Sequence, residues 1–313
     1  MTTSSTQGGF PISTDPQPTM MNSETNEISE PQRVRSRQLW RARRSVLSWV
    51  GAIMTLLLIL IAIFGPFIVP HAEDIGAGVD IKNALRPPSG EHWFGTDDSG
   101  RDVFARVIAA TRTSLLSGLA VVIAGSILGI VVGLIGGYFA GITNLLLMRV
   151  ADVFLAIPGI ALALAFAAVL KPSMVTTVIA ITLVWWPWMA RLVQAEVLTV
   201  RNTGFVDASR TYGASHFRII MKDILPNITS VIVVKASLDV GFAILLVAAL
   251  GFLGVGVQQP TPEWGSMIAS GRTYLPDAWW FSTFPGVAIF VAVLGFNLLG
   301  DAVRDVFDVK HEV

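Results

Sequence analysis

Residues 46–69 read VLSWVGAIMTLLLILIAIFGPFIV, 24 positions without one charged side chain. A helix of that length spans about 36 Å, enough to cross a hydrocarbon core of about 30 Å with some tilt. It is too long for a signal-peptide core, so the segment is expected to remain as a membrane span. Just before it stand Arg33, Arg35, Arg37, Arg41, Arg43 and Arg44, a basic juxtamembrane segment over 32–45. Residues 1–31 are rich in Ser, Thr, Pro, Gln and Asn and show no apolar period, the composition of a disordered tail. The whole chain is 53% hydrophobic and 14% charged, far below the quarter or so of charged residues in soluble domains. Lys+Arg and Asp+Glu are both 22, so net charge makes no case for nucleic-acid binding. With no cysteine, disulfides, thiolate nucleophiles and sulfur-ligated zinc are excluded.

Five further apolar segments follow, near 114–139, 145–170, 173–189, 230–257 and 280–303. None alternates as a transmembrane strand would, so the fold class is all-α, an integral membrane protein of six transmembrane helices. The expected organisation is a tail, a first span over 46–69, an outer loop over 70–113, a core over 114–303 and a C-terminus over 304–313. With the N-terminus inside, the inner segments hold fourteen basic residues and the outer ones seven, which favours both termini in the cytoplasm of a multi-pass cell-membrane protein. Gly125, Gly129, Gly133, Gly137 and Gly141 form a ladder at spacing four, a bare helix face that lets a neighbour approach closely. Pro158 and Pro187 predict kinks. Trp185-Trp186-Pro187-Trp188, at the end of the fourth segment, reads as a headgroup-level anchor.

The inner loop 191–229 reads RLVQAEVLTVRNTGFVDASRTYGASHFRIIMKDILPNIT. Asn202 or Thr203 is placed to cap a short helix over 205–212, Gly213 breaks it, and a second helix runs over about 215–222 until Leu225-Pro226 stops it. Phe205, Ala208, Ser209 and Tyr212 share one side at spacings of three and four, a knob suited to a partner's groove.

The run FVDASRTYGAS…RII…ILPN resembles the EAA loop of the permease subunits of binding-protein-dependent ABC importers. HWFGTDDSGRDVFARVIAATRTSL (92–115), FLGVGVQQPTPEWGSMIASGR (252–272) and FNLLGDAVRDVFD (296–308) are similar to the C-type permease of dipeptide and oligopeptide importers, a group that includes nickel, glutathione and haem systems. The resemblance spans roughly residues 40–308. It implies a type I ABC importer permease fold whose coupling helices dock on an ATPase subunit, here through Phe205, Asp207, Ala208, Ser209, Tyr212, Gly213, Ala214, Leu225 and Pro226. The family's Glu-Ala-Ala stands here as Asp207-Ala208-Ser209. Implied partners are a second permease subunit in a heterodimer, two ATP-binding subunits carrying ATP and Mg2+, an extracytoplasmic binding protein and the lipid bilayer.

The chain itself is expected to hold no cofactor. None of its five lysines follows a glycine, so no Walker A loop exists, and neither H-E-x-x-H nor G-x-S-x-G occurs. Ser215 and His216 are helical neighbours that do not face each other. His71, His92, His216 and His311 lie at no metal-ligand spacing, so no metal is expected. Lys235 and Asp239, four apart in the fifth span, are read as a mutually neutralising pair near the cytoplasmic end of the pathway, with a direct role in translocation as the alternative. Those two residues would also serve an ion-coupled secondary transporter, although no inverted repeat is visible. On the outer side, 100–113 reads as a helix on the membrane surface. Arg101 and Asp102 there, with Glu263 and Trp264 of a rigid aromatic-tipped loop, are either bracing or a contact for the binding protein.

Overall fold

A computed structural model describes residues 30–308, with side chains over 46–307. The tail over 1–31 therefore lies almost wholly outside the described residues, as do the side chains of the basic segment. The chain divides into two compact units, 1–42 and 43–313. The first contributes only the start of α1 (Glu30–Ile68) to what is described. The second contains the remainder of α1, α2 (Val103–Tyr138), α3 (Ile142–Ala156), α4 (Gly159–Val169), α5 (Met174–Val200), α6 (Gly204–Thr211), α7 (His216–Arg218), α8 (Leu225–Phe252), α9 (Trp264–Gly271) and α10 (Trp280–Asp308). Within the described residues there is one isolated antiparallel bridge, Thr96 to Asp102, and no named strand.

Among the described residues five helices are long and apolar enough to cross a membrane, and α3 with α4 makes a sixth span if taken together. That pair bends by 92° at Ile157-Pro158. Ile157 is extended (φ −98°, ψ 136°), the conformation a following proline imposes, and α3 ends there. Pro187 lies inside α5, which continues through it without a break. A neighbouring helix makes such a proline tolerable, and here α2 lies alongside.

α2 and α5 meet across the glycine ladder. A methyl group placed on Gly133 would lie 2.6 Å from the Ala190 carbonyl oxygen, and one on Gly137 would lie 2.6 Å from Val197 Cβ. Gly129 faces Met189 and the Trp186 carbonyl, and Gly125 faces the Trp185 ring. The two backbones therefore approach in a way that only hydrogen side chains allow. Gly141 is not part of this face. It precedes α3 with φ +74° and open space around it, so its role is to turn the chain.

Several boundaries differ from those expected. Residues 103–113 do not lie on a membrane surface; they are the first turns of α2, capped by Asp102 Oδ1, which accepts from the Ala105 N–H at 2.7 Å. α5 runs eleven residues past Met189, because polar Arg191, Gln194 and Glu196 end an apolar run without ending a helix. The Trp cluster is consequently mid-helix. Trp186 is buried against Phe154, ring centroids 5.6 Å apart, while Trp188 is exposed. Leu225-Pro226 stops nothing either. α7 passes through a π turn over Ile219–Ile224 into α8, where Pro226 occupies the first turn and its missing N–H is not needed.

Candidate functional site

α6 forms the connection between the ends of α5 and α8. Thr203 is its N-cap residue, but its hydroxyl donates to the Val200 carbonyl at 2.6 Å and caps nothing. Asp207 in the first turn and Arg210 in the last complement the helix dipole, and they pair at 2.8 Å. At the C-terminus the Ala214 N–H donates to the Ser209 carbonyl at 3.1 Å and the Gly213 N–H to Arg210 at 3.0 Å. This is a Schellman closure, and it requires the φ of +75° that Gly213 supplies. Nothing lies near Gly213 that a side chain would strike, so the demand there is on backbone conformation alone.

One side chain roots this helix. Val206 is buried among Tyr138, Val193, Val197, Ile219 and Ile224. Around it the ends of the long helices are tied together. Arg201 Nη1 donates to the Gly137 carbonyl at 2.8 Å and so satisfies the C-terminus of α2. Tyr138 Oη lies 2.8 Å from His216 Nδ1, and the Arg210 guanidinium sits 5.8 Å above the Tyr138 ring. His216 is thus engaged with Tyr138, away from Ser215, whose hydroxyl caps α7. Ala208, Ser209, Ala214 and Leu225 line or flank the element, while the large apolar side chains point outward. Phe205 is 48% exposed, Phe217 74% and Tyr212 90%. An aromatic set left open on a helix braced to α2, α5 and α8 is what a docking element presents. Tyr138, Arg201 and Val206 were not identifiable from the sequence, since their partners are 63 to 78 residues away or on other helices.

In the middle of the bundle, Lys235 Nζ pairs with Asp239 Oδ1, and Trp185 Nε1 donates to Asp239 Oδ2 at 3.2 Å. The Lys235 ammonium lies 5.7 Å from the Trp185 ring centroid. Both residues lie on α8, within the helical run His216–Phe252. Asp152 pairs with Arg191 on α5.

The opposite end of the bundle is built from buried charge. Arg106 is wholly buried. Its guanidinium donates to the carbonyls of Asp74, Ile75, Gly76 and Pro260 and, at 2.6 Å, to Gln259 Oε1. Asp97 lies 3.5 Å from Arg106 Nε and accepts from Arg101 Nε at 2.7 Å. Glu263 caps α9, accepting from the N–H groups of Gly265 and Ser266 at 2.8 Å each. Burial pushes its carboxyl from 4.5 up to about 7, against the pull of those two N–H groups. Trp264 Nε1 donates to the Val107 carbonyl at 3.0 Å. The expected contact of Arg101, Asp102, Glu263 and Trp264 with a binding protein is therefore corrected: all four are buried and hold the loops onto α2. The loop's aromatic tip is a core residue.

This end also gathers two of the histidines that looked scattered. His92 Nδ1 lies 2.8 Å from Asp102 Oδ2, and the His71 ring stands 4.8 Å from that of His92.

Residues 110–311 match the family described as binding-protein-dependent transport system inner membrane component, and residues 36–88 match the N-terminal TM domain of oligopeptide transport permease C. The probable D,D-dipeptide transport system permease protein of Escherichia coli (strain K12) is 40% identical over 294 residues, 93% of this chain and 98% of that protein. The dipeptide transport system permease protein of Alkalihalophilus pseudofirmus is 43% identical over 268 residues, 86% and 87% of the two chains. The glutathione transport system permease protein of Escherichia coli O6:K15:H31 is 40% identical over 286 residues, 90% and 94%. Those matches run through α6, the bent α3–α4 pair and the buried loops alike, and the chain belongs to the inner-membrane permease components of binding-protein-dependent ABC importers.

Proposed function

We propose that this chain forms half of a pathway that imports dipeptides or short oligopeptides, and that separate ATP-hydrolysing subunits drive it by gripping α6. The observation that carries this reading is the combination at α6 of outward aromatic side chains with rigid ties to three long helices. A force on Phe205 or Tyr212 reaches α2 through Tyr138 and Arg201, and α8 through the unbroken turn at Ile219–Ile224. Packed helices with two discrete arrangements would convert that movement into alternate opening of the pathway to either side. ATP and its Mg2+ belong on the partner subunits, since this chain offers no phosphate-binding loop. A second, homologous permease completes the pathway, and a binding protein delivers substrate at the α9 end. The excess of basic residues on that side supports a cytoplasmic position for α6 and both termini.

Relatives named for dipeptides and for glutathione support a peptide substrate, glutathione being a tripeptide. The chain lacks cysteine, so Tyr212→Cys and Phe217→Cys each create a unique cross-linking site. In the assembled transporter both are expected to cross-link to an ATPase subunit in a nucleotide-dependent manner, whereas Trp93→Cys at the other end does not. Absence of a cross-link from both α6-end variants in an intact complex would overturn the docking assignment. Proteoliposomes holding the complete complex should take up labelled dipeptide with internal ATP; uptake on a proton gradient alone would point to ion coupling instead.

A further inference from the structure

We propose that His71, His92 and Asp102 form a site for a divalent cation of intermediate softness, such as Zn2+, where the turn after α1 meets the start of α2. One potential ligand atom from each of the three lies within 4.8 Å of the others. The hydrogen bonds set the chemistry of both rings. A carboxylate only accepts, so the 2.8 Å contact puts the proton of His92 on Nδ1 and leaves the Nε2 lone pair free. A carboxylate behind an imidazole is the arrangement that orients and strengthens a metal-binding histidine. On the other ring, His71 Nε2 donates to the Glu91 carbonyl at 3.3 Å, which leaves the lone pair on Nδ1. That lone pair faces Glu73 Oε1 at 3.7 Å. Two acceptors so placed are brought together most simply by a shared cation.

The surroundings suit a positive ion. Asp74 Oδ2 accepts from the Asp102 N–H at 3.0 Å, which adds negative charge behind that residue. The guanidinium of Arg106 is spent on loop carbonyls and that of Arg101 on Asp97. His71 itself is held at φ 55° and ψ 45°, a left-handed conformation that residues other than glycine seldom adopt and that concentrates at functional positions. Its side chain is 29% exposed, which gives an ion a way in, while those of His92 and Asp102 are nearly closed off. Two imidazoles, one of them backed by the Asp102 carboxylate, select Zn2+, Ni2+ or Cu2+ over the oxygen-seeking Mg2+ and Ca2+, with Glu73 and water left for the remaining positions. Such an ion would pin the turn at 72–75 to the N-terminus of α2.

The test is Zn2+ titration of the purified transporter carrying no polyhistidine tag, in competition with a chromophoric chelator. One ion per copy of this chain is expected, undisturbed by excess Mg2+. His71→Phe keeps a ring against His92 but removes both nitrogens; it should weaken binding by about tenfold or more. Its unfolding temperature without metal should match the parent protein, which separates a lost ligand from a lost fold. His311→Gln should leave binding unchanged. Failure of the parent protein to compete with the chelator, or equal affinity in His71→Phe, would overturn the site, as would loss of binding in His311→Gln.

Discussion

At the α9 end Arg106 is wholly buried and bonded to five oxygens; at the α6 end Arg210 is half open and pairs with an Asp207 that is itself exposed. Glu263 caps α9 from the interior, whereas Thr203 gives α6 no side-chain cap at all. The two ends use polar groups for different purposes. Buried and bonded to several partners at once, they fix loops with little regular structure. Exposed and weakly paired, they leave a helix ready to bind something else. Substitutions should therefore separate stability from transport according to the end they touch.

The largest loss of stability is expected from Arg106→Ala, which breaks its ion pair with Asp97 and removes the donors that hold Asp74, Ile75, Gly76, Gln259 and Pro260. Breaking such a buried pair costs about 3–5 kcal/mol, to be read as thermal unfolding of the purified transporter. Next comes a pH effect from Glu263. Its folded value of about 7 exceeds the ordinary 4.5, so the folded state binds the extra proton. The contribution to stability is complete below pH 4.5 and disappears as pH rises through 7, a span of about 3 kcal/mol. Glu263→Gln should flatten that dependence; an unchanged pH profile in the variant would remove Glu263 as its source.

At the α6 end the ordering reverses. Gly213→Val must hold a β-branched residue at φ +75°, which costs about 1–2 kcal/mol, yet dipeptide uptake should fall far more than that loss explains. Gly213→Asn, better suited to that conformation, should recover most transport. Smallest in stability is Tyr212→Ala, within about 0.5 kcal/mol because the ring is 90% exposed, with transport-coupled ATP hydrolysis nonetheless reduced. Were Tyr212→Ala to unfold the protein, or Arg106→Ala to abolish coupling in a stable protein, the contrast between the ends would fail.

The spans were legible because a hydrocarbon environment demands long uninterrupted apolar runs, and 46–69 states that demand in one dimension. Local closure was legible too: Gly213 after an eight-residue helix reads as a C-terminal stop before any partner is known. The ends of α2 and α5 were not, because residues that leave the hydrocarbon keep their helical propensity. Nor was the fate of Glu263 and Trp264. A proline-flanked acidic-aromatic stretch looks like a surface loop until Val107 and Ser114, some 150 residues away, close over it.

Sequence alone determined the membrane setting, the helical class, the family and the position of the short helix α6, since each rests on residues within a few turns of one another. Tertiary structure decided which charges are buried, which glycines pack and which turn the chain, and that His71 and His92 meet over Asp102. Burial and long-range contact depend on where the rest of the chain lies, and spacing along the chain does not carry that information.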